Sequence, residues 1–193
     1  MAAIEYIEPV VRMCAVISRH PVAIHWAIDE LTKRWGPVTH HSESLPFVAG
    51  GYYDQQMGSG LQKVLVGFAD LQEPSGLADW KIETIQMEKL YAESSEHEEQ
   101  RPLNLDCGYV TQAKLVLATT KDRDHRVYLR DGMFAEVTLN YVAKEWVHHR
   151  WTYPDYRTDS VTAFVQKCRE HVRDHIRQTG KFRNRVERNE GLS

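Results

Sequence analysis

Two helical runs set among extended segments constrain the fold of this chain more tightly than any single motif. In the first, Ile24, Ala27, Ile28, Leu31 and Trp35 recur at the spacing of one helix face. Pro21 suits its first turn, and Gly36-Pro37 ends it. In the second, Leu77, Trp80, Thr84 and Tyr91 line one side of residues 77–91, opened by Pro74-Ser75-Gly76. VRMCAVISR precedes the first run and LQKVLVGFADL the second, and both are rich in strand-forming residues. Gly67 interrupts the latter and suggests a bulge.

Residues 37–47 alternate weakly and add a strand between the helices. PLNLDCGYV, AKLVLATT, HRVYL and MFAEVTLNYV supply four more after a charged linker at 93–101, ESSEHEEQR, expected to be mobile. Thr158 can cap a last helix at 159–179, whose apolar stripe is Val161, Phe164, Val165, Cys168, Val172 and Ile176. The order is β-α-β-β-α-β, a three-strand antiparallel extension, and a terminal helix. Its opening six elements follow the split βαβ, ferredoxin-like pattern. The expected fold is α+β: a ferredoxin-like start, an extended antiparallel sheet and a C-terminal helix. At 193 residues one domain is expected, over 1–180, with a basic tail at 181–193.

A net charge of −3 gives no general attraction to nucleic acid or anionic membranes. No apolar run approaches the roughly 20 residues needed to span a bilayer. MAAIEYIEPVV lacks a basic segment followed by a long apolar one, which argues against secretion. Cys14, Cys107 and Cys168 are odd in number and widely spaced, as free thiols in a reducing compartment would be. A cytoplasmic protein without a membrane partner is expected.

Asp131-Gly132 is the strongest hairpin signal in the chain. A two-residue turn there sets Val127 opposite Glu136, Leu129 opposite Phe134 and His125 opposite Thr138. Alternation then sends Lys114, Thr120, His125 and Glu136 to one face with Val116 and Ala118. Thr119 and Arg126 fall on the other face with Leu115 and Leu117. At the loop end, Thr119, Thr120, Lys121, His125 and Arg126 gather cations, hydroxyls and an imidazole, a set suited to holding an anion. The plain alternative is a solvated sheet face. WTYPDYR reads as a rigid aromatic loop. Trp151 and Tyr153 are its expected anchors, while Asp155 and Arg157 serve equally as ligand contacts or loop ties. Tyr52, Tyr53, Asp54 and Met57 occupy a glycine-bearing loop.

NLDCGYVTQAKLVLATTKDRDHRVYLRDGMFAEVTLNY followed by WTYPDYR resembles the bacterial family named domain of unknown function 4416. The resemblance extends back through YYDQQMGSGLQKVLVGF and LADWKIETIQMEKL and covers residues 11–169. The family pattern has proline after Asn-Leu-Asp. Cys107 stands there instead, loosening a turn expected at Asp106. Some members carry the label GTP-binding protein, which the residues test directly. No G-x-x-x-x-G-K-[ST] loop is present to cradle phosphates. TTKDRD has Arg123 where a guanine-reading motif needs aspartate. The classical GTPase reading is rejected.

Other chemistries have weaker signals. His40-x-Ser42 is a single copy of a signature that two-histidine phosphoesterases need twice. Asp54, Asp106, His125, Glu136 and Asp155 are the available metal ligands, but no spacing marks a zinc site, so no metal is expected. A Mg²⁺ bridging one or two carboxylates to a phosphate needs no such motif. His148-His149 reads as a wet strand end, and Cys107 as a small buried hydrophobe rather than a nucleophile. From residue 167 to 188 there are eight Lys or Arg against Glu170, Asp174 and Glu187. Among them Arg173, Arg177, Lys181, Arg183, Arg185 and Arg188 could meet RNA or an acidic partner, but with no interleaved aromatic beyond Phe182 a solvated helix end favoured by its dipole is the preferred reading.

The leading expectation is a module binding a small anionic ligand, a phosphorylated metabolite or nucleotide. Lys114, Thr119, Thr120, Lys121, His125, Arg126, Asp155 and Arg157 are its expected contacts, with Glu136, Asp106 and His125 placed for acid–base or metal-bridging chemistry. No motif names a cofactor. The alternatives are a non-catalytic interaction or assembly module and RNA binding through the tail.

Overall fold

A computed structural model describes residues 6–47 and 54–182. The elements in order are β1 (Val11–Ser18), α1 (Pro21–Trp35), β2 (Val38–His41), β3 (Leu45–Pro46), α2 (Asp54–Met57), β4 (Gln62–Phe68) and α3 (Leu77–Ser94). They continue with β5 (Asn104–Val110), β6 (Lys114–Thr119), β7 (Arg126–Arg130), β8 (Met133–Val142), β9 (Glu145–His148) and α4 (Asp159–Thr179).

The described residues form a mixed helix and strand structure around one antiparallel sheet ordered β2-β4-β1-β5-β6-β8-β7. The short β3 joins β4, and β9 joins β8. Every residue of β1 is buried, because helices cover both sides of the sheet. Cys14 and Val16 pack with α1 and α3 through Ala27, Leu31, Trp80 and Met87. Met13 and Ala15 pack with α4 through Val161, Phe164, Val165 and Cys168. Thr158 accepts a hydrogen bond from the Val161 amide and caps α4, while Gly180, at φ 67°, closes it. The predicted α4 stripe is thus the floor of the second core.

Asp131 and Gly132 take φ values of 51° and 75°, the two positive dihedrals of a type I′ hairpin. The turn matches expectation, but the register beyond it does not. Arg130 faces Met133, an irregularity follows at Leu129, and Tyr128 then faces Phe134. Arg126 consequently faces Glu136, where Val127 was expected. One additional residue exchanges the faces of everything upstream.

Other departures are local. The sheet extension has four strands, because β9 folds back on β8 through Ala143 and Lys144 at φ 50° and 71°. The irregularity anticipated at Gly67 lies across from it, between Val38 and His40 of β2. Asn104-Leu105-Asp106 is strand rather than turn, with Cys107 opposite Cys14. The expected mobile linker is partly the end of α3, and its remainder is tied by Glu99 to His20 and by Arg101 to Glu88. Tyr52, Tyr53, Arg183, Arg185 and Arg188 lie outside the described residues.

Candidate functional site

β5 and β6 pair only through Gly108, Tyr109 and Val110 with Leu117, Val116 and Leu115. Towards the start of β5 the two strands part, and the β5 edge meets α3 side chains instead of a neighbouring strand. Lys81 Nζ donates to the Leu105 carbonyl at 2.7 Å, and the Leu105 amide donates to Glu88 Oε1 at 2.8 Å. One buried residue's edge donor and acceptor are both satisfied by side chains two helical turns apart on α3, which lets the gap persist inside the fold.

A cleft of about 370 Å³ occupies this gap. Asn104 and Asp106 line it from β5, Leu117 to Lys121 from β6 and its loop, Arg126 from β7 and Glu136 from β8. Lys81, Glu88 and Arg101 close one side, and Tyr153 and Tyr156 of the aromatic loop close the other.

The charges are placed in pairs. Glu136 is 3% exposed and accepts from Arg126 Nε at 2.9 Å and His125 Nε2 at 3.0 Å. Lys81 Nζ lies 3.4 Å from Asp106 Oδ1, while Asn104 donates to Asp106 Oδ2 at 3.0 Å. Burial works against the Lys81 ammonium, but Asp106, Cys107 and Glu88 outweigh it and raise its pKa, so Lys81 stays charged. Burial raises the pKa of Glu88, against the pull of Lys81 and Arg101. Behind the cleft, the fully buried Lys63 donates to Asp155 Oδ2 at 2.7 Å and sits 3.9 Å from the Tyr156 ring centroid. Burial lowers the Lys63 pKa, with Asp155 and Asp106 opposing. The Tyr156 hydroxyl is buried with no hydrogen-bond partner.

Of the residues singled out from sequence, Asp106, Thr119, Thr120, Lys121, Arg126 and Glu136 meet in this cleft. His125 touches it through Glu136, and stacks on Trp151 with ring centroids 5.1 Å apart. Asp155 serves it by holding Lys63. Lys114 is not there. It pairs with Asn140 at the far end of β6 and alternates with Val116 and Ala118, opposite the face of Leu117 and Glu136. The single face expected to carry Lys114, His125 and Glu136 together is therefore not formed, and Arg126 takes the place given to the lysine.

Arg157 is also elsewhere. Its Nε donates to the Thr152 carbonyl at 2.7 Å, and it borders a larger, more open hollow of about 630 Å³ beneath β9 and α4. That hollow gathers fewer ionised groups than the split between β5 and β6. The anchoring role of Trp151 holds, since its Nε1 donates to the Val137 carbonyl at 2.9 Å, whereas Tyr153 is 54% exposed at the cleft. His149 is not a wet strand end. It bonds Asn140 and stacks on Trp151.

Lys81, Glu88 and Arg101 were missed because a helix lysine and a helix glutamate look like solvated residues until the strand beside them is known to lack a neighbour. Cys107 is wholly buried, and burial pushes its thiol up to about 11, which excludes a thiolate at neutral pH. Ser42 spends its hydroxyl on the Leu65 amide and Glu43 carbonyl, not on phosphoester chemistry. Arg173 and Arg177 are ion-paired with Glu170 and Asp174. No helix among the described residues is long and apolar enough to cross a membrane.

The profile of the family described as Domain of unknown function (DUF4416) matches residues 8–171. The chain belongs to this family. All cleft residues lie within the span shared with other DUF4416 members. No curated protein and no solved structure matches this DUF4416 chain.

Proposed function

We propose that the cleft between β5 and β6 binds a small anionic metabolite, phosphorylated or nucleotide in character. The observation that carries this reading is the convergence of Thr119, Thr120, Lys121 and Arg126 with Asp106 and Glu136 on one cleft. Arginine and lysine recognise phosphate or carboxylate oxygens. The threonine hydroxyls add neutral donors, and the carboxylates accept from ligand hydroxyl or amino groups. Asp106, only partly buried, is the carboxylate best placed to exchange a proton if a reaction follows. Glu136 is already engaged by Arg126 and His125 and serves to hold Arg126.

A thermal-shift screen of phosphorylated sugars, nucleotides and organic acids tests the reading. A ligand should raise the melting temperature, and Thr120→Val or Lys121→Ala should weaken that shift while leaving the unliganded protein folded. A screen without a single saturable hit rejects the proposal.

The opening elements are further read as ferredoxin-like. The antiparallel order β2-β4-β1-β5, with α1 and α3 on one side, supports that assignment. Three buried free thiols favour a reducing, cytoplasmic setting.

A second reading, an assembly module, draws on β7. This strand pairs with β8 and leaves Val127 67% and Tyr128 59% exposed along the sheet margin. Edge-to-edge pairing of two copies would cover them. Sedimentation that stays monomeric at high protein concentration removes this alternative.

A further inference from the structure

We propose that His20, His97 and Glu99 form a binding site for a first-row divalent metal ion of the zinc class. Each offers a ligand atom, and the three atoms lie within 4.8 Å of one another. None lines the cleft. His20 sits between β1 and α1, while His97 and Glu99 follow α3, so the set is discontinuous in sequence.

Two imidazoles and a carboxylate are a common protein donor set for Zn²⁺ with a fourth position left open. His20 Nε2 is 2.9 Å from Glu99 Oε2, and the two imidazoles stack with centroids 3.8 Å apart at 14°. Glu99 bonds only the first of these rings, and the stacking brings the second imidazole alongside it.

The surroundings are those of held ligands. Tyr91 Oη lies 3.0 Å from His97 Nε2, which orients the ring and leaves Nδ1 as the nitrogen to offer a metal. Arg19 Nη1 donates to Glu99 Oε1 at 3.1 Å, which orients the carboxylate and leaves Oε2 towards His20. Ser18 Oγ accepts from the His20 amide at 3.0 Å and donates to the Pro102 carbonyl at 2.6 Å, tying the β1 corner to the segment that carries Glu99. Gly58 makes room for this arrangement, since a Cβ there would stand 2.6 Å from Arg19 Nη1.

A metal would clip the segment between α3 and β5 onto the start of α1. Arg101, two residues beyond Glu99, lines the cleft, so the clip would steady one of its walls. Binding replaces the hydrogen bond between His20 and Glu99 and releases any proton the imidazole carries.

The test is isothermal titration of the chelator-stripped full chain with Zn²⁺, repeated with Co²⁺ while recording d–d absorption. Saturable 1:1 binding is expected. It should vanish in His20→Ala and in His97→Ala, persist in the exposed control His25→Ala, and weaken about 10–100-fold in Tyr91→Phe. Circular dichroism confirms that each variant is folded, and Glu99→Gln replaces any that is not. Absence of 1:1 binding by the native chain, or its survival in the His20→Ala/His97→Ala double variant, overturns the proposal.

Discussion

Arg126 Nε donates to Glu136 Oε2 at 2.9 Å, and both side chains are about as buried as core hydrophobes, at 5% and 4% exposure. The pair forms only because the irregularity at Leu129 shifts β7 by one residue against β8. Removing Arg126 leaves the buried Glu136 with the His125 hydrogen bond but without the guanidinium that offsets its charge. Arg126→Ala should therefore cost about 3–5 kcal/mol, read from urea unfolding. Replacing both residues by leucine should recover most of that loss, because the desolvation of two ions disappears with them. A double variant no more stable than Arg126→Ala would show that the pair is not the source of the loss.

Lys81 gives a second prediction, since its ammonium substitutes for the missing neighbour of β5. Lys81→Met keeps the aliphatic stem but orphans the Leu105 carbonyl and strips Asp106 of its counter-ion. A loss of about 1–3 kcal/mol is expected from the unsatisfied carbonyl. The folded-state pKa of Lys81 is raised above its ordinary 10.5, so this stabilisation is complete below that value and fades only as pH rises through the folded pKa. Unfolding curves at pH 6 and pH 8 should show the same difference between variant and native protein.

What the sequence disclosed follows from how locally each feature is determined. The stripe of α4, its Thr158 cap and the Asp131-Gly132 turn depend on neighbours along the chain, and all three appear where expected. The bulge at Leu129 does not announce itself, because Val127, Tyr128 and Leu129 are all apolar and suit either face. Ala143-Lys144 carries no turn chemistry, so β9 was overlooked although its hairpin has the same positive dihedrals. The polar residues at the β6–β7 end were recognisable as a group. Their partners Lys81, Glu88 and Arg101 were not, since they enter only when β5 separates from β6.

The pair His40 and His171 makes stability depend on pH. His40 Nε2 lies 3.2 Å from His171 Nδ1. Burial lowers the pKa of His40, helped by His171 and Lys167. Burial also lowers that of His171, with Asp174 opposing and His175 assisting. The unfolded chain then takes up protons more readily than the folded one as pH falls below about 6.5. Stability should decline from that point, and the decline is complete once pH is below both folded values. The double variant His40→Gln/His171→Asn should flatten the urea midpoint between pH 7.5 and pH 5 relative to native protein. An unchanged slope would assign the acid sensitivity to other groups.

Gly108 sits at the last β5–β6 pair before the strands part, opposite Leu117. A Cβ there would come within 2.3 Å of the Val116 carbonyl oxygen and 3.2 Å of the Leu117 Cα. Both obstacles are backbone, so no rotamer change relieves them. Gly108→Ala must push β6 away from β5, and the short three-residue ladder has little pairing to hold against that force. Overpacking of this kind costs about 1–3 kcal/mol. Amide exchange should accelerate along β5 and β6 while α1 keeps its protection, because the helix packs on strands that do not move. If the variant unfolds at the native urea concentration with native exchange along β6, then the close approach that anchors the base of the cleft is not present in solution.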